Sequence, residues 1–203
     1  MKAVLEVPIG VSGRHIHLAQ EHVEILFGAG HKLTPTKALS QPGQFACVEC
    51  VTLKIAKGSI AGVRIVGPGR PETQIELAVT DSFRLKLDPA PPVRMSGKIA
   101  GSPGLTLVGL AGEVTIHEGV IISQRHLHMT PDQAQEYGFE DQQMVAIACT
   151  GPRQVVFGNV IIRVHKTFKL DFHIDTDEAN CAGVKTGDKA YILADYELPA
   201  FGA

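Results

Sequence analysis

The sequence has no tryptophan, and aromatic residues fill only 5% of its 203 positions. That scarcity argues against a surface on which nucleic-acid bases stack. Charge of neither sign dominates. The net charge of −2 gives no global basic footprint, so any anionic ligand must be held by a local cluster. Nucleic acid is therefore not expected as a partner. No apolar run approaches the ~18 residues of a membrane span, so no membrane partner is expected either. Met1 to Val7 is too short for a secretory signal with its apolar core and cleavage site.

Cysteine is also scarce. Of the four, Cys47 and Cys50 form a C-x-x-C, which can mark a zinc or redox site. They sit in a run from Phe45 to Leu53 that reads as a strand, where positions three apart face opposite sides. No second C-x-x-C completes a four-cysteine site. Buried free thiols are the expected reading, and they suit a reducing cytoplasm.

What the chain does have is a repeat. Arg14-His15-Ile16-His17 returns as Arg125-His126-Leu127-His128, with Val11-Ser12-Gly13 before the first copy and Ile122-Ser123-Gln124 before the second. Leu18 and Met129 follow. On a strand, residues two apart point to one face, roughly 6–7 Å apart along the chain. Each His-x-His can thus aim two imidazoles at one point, which suits a chelated metal. The competing reading is a repeated strand whose histidines satisfy buried carbonyls. It explains the repeat but not the recurrence of two ionisable rings with an arginine.

Strand signals dominate the rest: 48–55, 62–66, 73–79 and 83–87 in the first half, then 144–149, 155–164, 168–174 and 190–193. Only two segments read as helices. One is 19–28. The other is 131–137, with Thr130 as N-cap and Pro131 at the first helical position. Each half therefore runs strand, His pair, short helix, strands. The fold class is mainly β, with small barrels or sandwiches and an internal pseudo-repeat. The Pro-rich stretch 88–92 reads as a connector, and 96–104 as a loop or irregular hairpin.

Glu76 sits among apolar residues in one predicted strand, and is either exposed on the strand's polar face or a metal ligand. His173 occupies a similar place in the second half. Aligning 75–79 with 169–174 makes the two near-equivalent, so each half offers two histidines and a third donor. Three protein ligands with a vacant position describe a catalytic zinc site. Arg70, in Gly67-Pro68-Gly69-Arg70-Pro71, is either a solvated turn arginine or a fork for phosphate or carboxylate. His22, His31, His117 and His165 lack a partner at chelating spacing and read as surface or packing residues.

Together, 11–18, Gly67-Pro68-Gly69-Arg70, 124–129 and 173–180 resemble the phosphate propanoyltransferases, phosphotransacylases of propanediol and related metabolism. The resemblance runs from about Pro8 to Leu193. It implies two small closed β-barrels capped by short α-helices, with a dinuclear zinc centre between them. One barrel would use 14–123, the other 4–13 plus 124–196. His15, His17 and Glu76 would hold one zinc, and His126, His128 and His173 the other. Arg70 would bind phosphate as the catalytic residue. Ser12, Gly13, Arg14, Arg64 and Asn180 would lie near coenzyme A.

The implied reaction converts acyl-CoA (propanoyl or acetyl) and phosphate into acyl phosphate and CoA, and the reverse, with zinc stabilising the CoA thiolate. No residue stands out as a covalent nucleophile, so direct transfer is expected. Two rivals remain: a zinc hydrolase of acyl phosphates or thioesters, and a zinc-stabilised binding module without activity. Family members packaged in bacterial microcompartments carry an N-terminal targeting extension, for which this sequence leaves no room. A cytoplasmic enzyme is the simpler expectation, and a microcompartment lumen the alternative if an extension was removed. A homodimer stays open.

Overall fold

A computed structural model describes residues 3–193. The elements of the first half are β1 (Ala3–Ser12), β2 (His15–His17), α1 (Gln20–Phe27), β3 (Pro35–Ala38), β4 (Phe45–Ile55), β5 (Gly58–Gly67), β6 (Gln74–Leu77), α2 (Val79–Leu85), β7 (Val93–Arg94), β8 (Leu105–Val108), β9 (Glu113–Ile116) and β10 (Val120–Ser123). The second half supplies β11 (His126–Met129), α3 (Pro131–Tyr137), β12 (Met144–Cys149), β13 (Val155–Val164), β14 (Asp171–Asp175), α4 (Thr176–Ala182) and β15 (Lys189–Leu193). The protein is mainly β with short helices.

The chain divides into two compact units. One joins the N-terminal stretch up to Val11 to the chain from Arg125 onward, and the other is Ser12–Gln124. The polypeptide thus passes from one unit to the other just before each Arg-His-x-His. The connector expected at 88–92 lies inside the central unit rather than at a boundary. Positions 194–196 of the expected C-terminal span lie outside the described residues.

In the unit holding the C-terminal half, six strands close into a barrel in the order β1-β14-β11-β13-β12-β15. Val7, Leu127, Ile147, Ile162, Phe172 and Ile192 fill its core. In the central unit, nine strands form one sheet in the order β7-β10-β6-β2-β5-β4-β8-β9, with β3 added on β4. Its strand pairings run from β7 to β9 without closing a ring, so it differs from the closed barrel expected there. Its core gathers Ile16, Leu18, Val51, Leu53, Ile65 and Leu107. On β4 the odd positions Cys47, Glu49, Val51 and Leu53 are buried, as alternation on a one-sided strand requires. Cys47 and Cys50 accordingly fall on opposite faces. The thiols are free, but only Cys47 and Cys149 are buried; Cys50 is half-buried and Cys181 exposed.

Two helices escape a reading by hydrophobic pattern. The strand expected over 83–87 is instead the end of α2, which stops where Lys86 turns left-handed at φ 57°. The helix α4 occupies the motif after His173. Its start is fixed by reciprocal bonds: Glu178 N–H donates to Asp175 Oδ1 at 2.9 Å, and Asp175 N–H to Glu178 Oε2 at 3.0 Å. The helix α3 begins in the same way, as expected, with Gln133 N–H donating to Thr130 Oγ1 at 3.2 Å.

Candidate metal centres

The two histidine pairs occupy equivalent frames. Strand β2 runs parallel to β5 and antiparallel to β6, which sets His15 directly opposite Glu76. Strand β11 runs parallel to β13 and antiparallel to β14, which sets His126 opposite His173. Within each pair the apolar residues go the other way: Ile16 and Leu18 enter one core, Leu127 and Met129 the other. Strand alternation therefore delivers both imidazoles to the face that also carries the third donor.

His15, His17 and Glu76 bring their donor atoms within 4.8 Å of one another, and so do His126, His128 and His173. His15 Nε2 lies 3.8 Å from Glu76 Oε2, and His17 Nε2 3.9 Å from Glu76 Oε1. Tetrahedral zinc with ligands at ~2.0–2.1 Å separates its donors by about 3.3–3.4 Å, so a small closure would suffice. The ring nitrogens of the first triad are already sorted. His15 Nδ1 donates to Gly13 O at 2.9 Å and His17 Nδ1 to Val66 O at 3.0 Å, which leaves each Nε2 with a free lone pair. In the second triad, His128 Nδ1 is the one buried side-chain nitrogen or oxygen among the described residues without a hydrogen-bond partner. A buried polar atom left so is costly unless something fills the position. Both donor sets suit zinc, which accepts imidazole and carboxylate ligands.

Electrostatics favours the metal-ready forms. Burial, then His15 and Arg70, hold His17 down at about 3. Burial, then His126 and His173, hold His128 down at about 2. Both rings are neutral near pH 7, so a cation need not displace a proton. Burial alone would raise Glu76, but its neighbour His15 and hydroxyl donors from Ser123 and Ser96 outweigh it and keep the carboxyl ionised.

A polar chain links Arg70 to the first triad. Arg70 Nη1 donates to Ser96 Oγ at 3.0 Å, and Ser96 Oγ donates to Glu76 Oε1 at 2.9 Å. Gln74 Nε2 contacts both, at 2.8 Å from Ser96 Oγ and 2.6 Å from Glu76 Oε1. Ser96 lies in an irregular loop, and no local signal marked it. Beside this chain opens a cavity of about 270 Å³, lined by His17, Arg70, Gln44, Gly43 and the Gly67–Pro68 turn.

The other expected site residues are more dispersed. Ser12 ends β1 half-buried, and Gly13 is exposed. Arg14 is occupied: its Nε donates to Asp81 Oδ1 at 2.7 Å. Arg64 stands opposite His15 in the ladder, and its Nη1 donates to Cys47 O at 2.8 Å. Asn180 is exposed on α4, in the other unit. Of the remaining histidines, His22 contacts Thr73 Oγ1 at 2.7 Å and His31 contacts Glu49 Oε1 at 2.8 Å, both as packing residues. Asp81, Asp171 and Glu178, which contact Arg14, His173 and Arg125 respectively, are not marked by hydrophobic pattern. The D-x-x-E spacing of Asp175 and Glu178 was the available signal for the last.

The family model for phosphate propanoyltransferase matches residues 8–185. The chain belongs to the phosphate propanoyltransferase family. Among its relatives is a phosphate propanoyltransferase of Priestia megaterium, 51% identical over 191 residues, covering 94% of this chain and 87% of the relative. That of Thermotoga maritima is 49% identical over 186 residues, covering 91% and 88%. That of Rhodobacter capsulatus is 48% identical over 179 residues, covering 88% and 82%. The phosphate propanoyltransferase family is thus matched along nearly the whole described chain, including both triads. No helix among the described residues is long and apolar enough to cross a membrane.

Proposed function

We propose that this protein is a phosphotransacylase that moves a short acyl group, propanoyl or acetyl, between coenzyme A and inorganic phosphate, with one zinc in each triad. The observation that carries the reading is the hydrogen-bonded path from Arg70 through Ser96 to Glu76, beside an open cavity at His17. It couples an anion-binding guanidinium to a three-donor cluster with a coordination position to spare.

In this reading Arg70 binds phosphate and orients one phosphate oxygen toward the thioester carbonyl. That oxygen forms the new bond to the acyl carbon, the carbon–sulfur bond breaks, and CoA leaves as thiolate. Ser96 and Gln74 hold Arg70 and Glu76 in register, so the anion meets a preorganised site. Zinc, when bound, supplies Lewis-acid stabilisation of the negative charge that passes between phosphate and thiolate. Ser12, Gly13, Arg14, Arg64 and Asn180 are proposed to lie along the coenzyme. A CoA-dependent reaction and four free thiols both suit the cytoplasm.

The test is a steady-state assay with propanoyl or acetyl phosphate and CoA, with and without chelator. Chelator-sensitive formation of acyl-CoA is the expected result. Release of phosphate without CoA would identify a hydrolase. No turnover, together with chelator-induced unfolding, would identify a metal-stabilised binding module.

A further inference from the structure

Gln74 lies buried on β6, two residues before Glu76 and opposite His17 in the ladder. A buried amide must find partners for both of its ends. Gln74 finds them on one loop and one carboxylate. Its Oε1 accepts the N–H of Gly97 at 2.6 Å. Its Nε2 stands 2.8 Å from Ser96 Oγ and 2.6 Å from Glu76 Oε1. A backbone N–H can only donate, so Gly97 fixes which end of the amide is oxygen, and the two hydrogens on Nε2 have one acceptor each. That orientation depends on no ionisable group.

We propose that Gln74 is a positioning residue for acyl transfer: by fixing the turn at 96–97 it sets the rotamer of Arg70, and so governs how tightly inorganic phosphate binds. The proposal rests on Arg70 as the phosphate ligand and adds what holds it. Ser96 follows the two-residue strand β7, in a turn closed by Lys98 N–H donating to Met95 O at 2.9 Å. Gln74 joins that turn to β6 at two points, Ser96 Oγ and Gly97 N–H. The Ser96 hydroxyl is then saturated. It accepts from Gln74 Nε2 and Arg70 Nη1 and gives its one hydrogen to Glu76 Oε1. Arginine has many rotamers, so a site that holds one of them before the anion arrives binds that anion more tightly.

Gly97 gives the arrangement a backbone requirement. Its φ of 91° lies in the left-handed region that residues with a Cβ rarely adopt. The residue is exposed, and a Cβ there would meet nothing within 4 Å. Gly97→Ala would therefore crowd no neighbour, and would act only through the backbone that aims this N–H at Gln74.

The test reads phosphate binding directly, by equilibrium dialysis of the zinc-loaded full chain against radiolabelled inorganic phosphate, beside zinc content and steady-state kinetics. Gln74→Met removes both ends of the amide at similar length, and should weaken phosphate by about tenfold, the scale of one net hydrogen bond. KM for acyl phosphate should rise with it. KM for CoA, and zinc content at saturating zinc, should stay as in the wild type, a split that general loosening would not produce. Gly97→Ala should shift phosphate affinity the same way with no side chain of the site altered. Ser96→Ala should lose a similar amount. Combined with Gln74→Met it should lose no more than the larger single change, since both act on Arg70 by one path. Wild-type phosphate affinity in Gln74→Met, losses that add in the double variant, or equal losses toward CoA would overturn the role of Gln74 and leave Arg70 as the phosphate ligand. Arg70→Lys with wild-type phosphate affinity would overturn the reading of Arg70 and this proposal with it.

Discussion

Arg14 is tied to Asp81 by a 2.7 Å ion pair, and Asp81 is the third residue of the helix that follows the strand carrying Glu76. The repeat reproduces the arrangement. Arg125 Nε lies 2.8 Å from Glu178 Oε1, and Glu178 is the third residue of the helix that follows the strand carrying His173. In both acids one oxygen takes the arginine and the other accepts the N–H of the helix N-cap residue, Ala78 at 3.2 Å or Asp175 at 3.0 Å. The arginine of each Arg-His-x-His therefore ties the histidine strand to the helix that follows the strand presenting the third donor. It accounts for an arginine recurring with the rings.

Removing Asp81 should be costly, because its carboxylate is nearly inaccessible and serves two donors. Asp81→Ala strips a helix cap and a charge-assisted bond together, for an expected loss of about 2–4 kcal/mol. Urea unfolding of the variant checks this. A midpoint equal to wild type would mean that water replaces both contacts.

Metal content should be close to two divalent ions per chain by elemental analysis after zinc supplementation. One equivalent or none would count heavily against paired centres.

Replacing either histidine pair should separate metal loss from unfolding, since each unit has its own core. His15→Ala and His128→Ala should each lose most acyl transfer while circular dichroism stays native. Near-wild-type turnover of both variants at saturating zinc would make the histidines structural.

Arg70→Lys keeps the charge but loses the fork. A point charge cannot reproduce two parallel hydrogen bonds, and Ser96 would lose its guanidinium donor as well. The expected loss is about 2–3 kcal/mol, or roughly a hundredfold in rate. It should appear in phosphate or acyl-phosphate affinity, in turnover, or in both, with zinc content unchanged. Unaltered kinetics for both substrates would return Arg70 to the role of a turn residue.

Much of this architecture was legible in the chain because period-two alternation is local. From the repeat and the strand patterns alone, His15 and His17 could be paired, and Glu76 and His173 aligned within two residues. The ladder registers now set both directly opposite the first histidine of each pair. The helix α2 looks like a strand in the sequence because Phe83, Leu85 and Leu87 alternate as a strand would, while the cap that starts it is an aspartate inside the helix rather than before it. Ser96 was invisible because its partners lie 20 and 26 residues away. Which strands close into a ring and which stay in an open sheet depends on pairings too distant in sequence for any local pattern to specify.

The passage of the chain between units sets an order of assembly during translation. Strand β1 leaves the ribosome before the central unit, yet Val7 pairs with Ala190 on β15, which is made after that unit. The stretch Ser12–Gln124 has all its strands once β10 has emerged, so it can fold while β1 still waits. Val7 and Ile9, both fully enclosed in the finished barrel, spend that interval unpartnered. Such long-range closure is slow and exposes apolar strand. Nascent chains stalled before β14 should therefore be the form of this protein that chaperones hold most strongly.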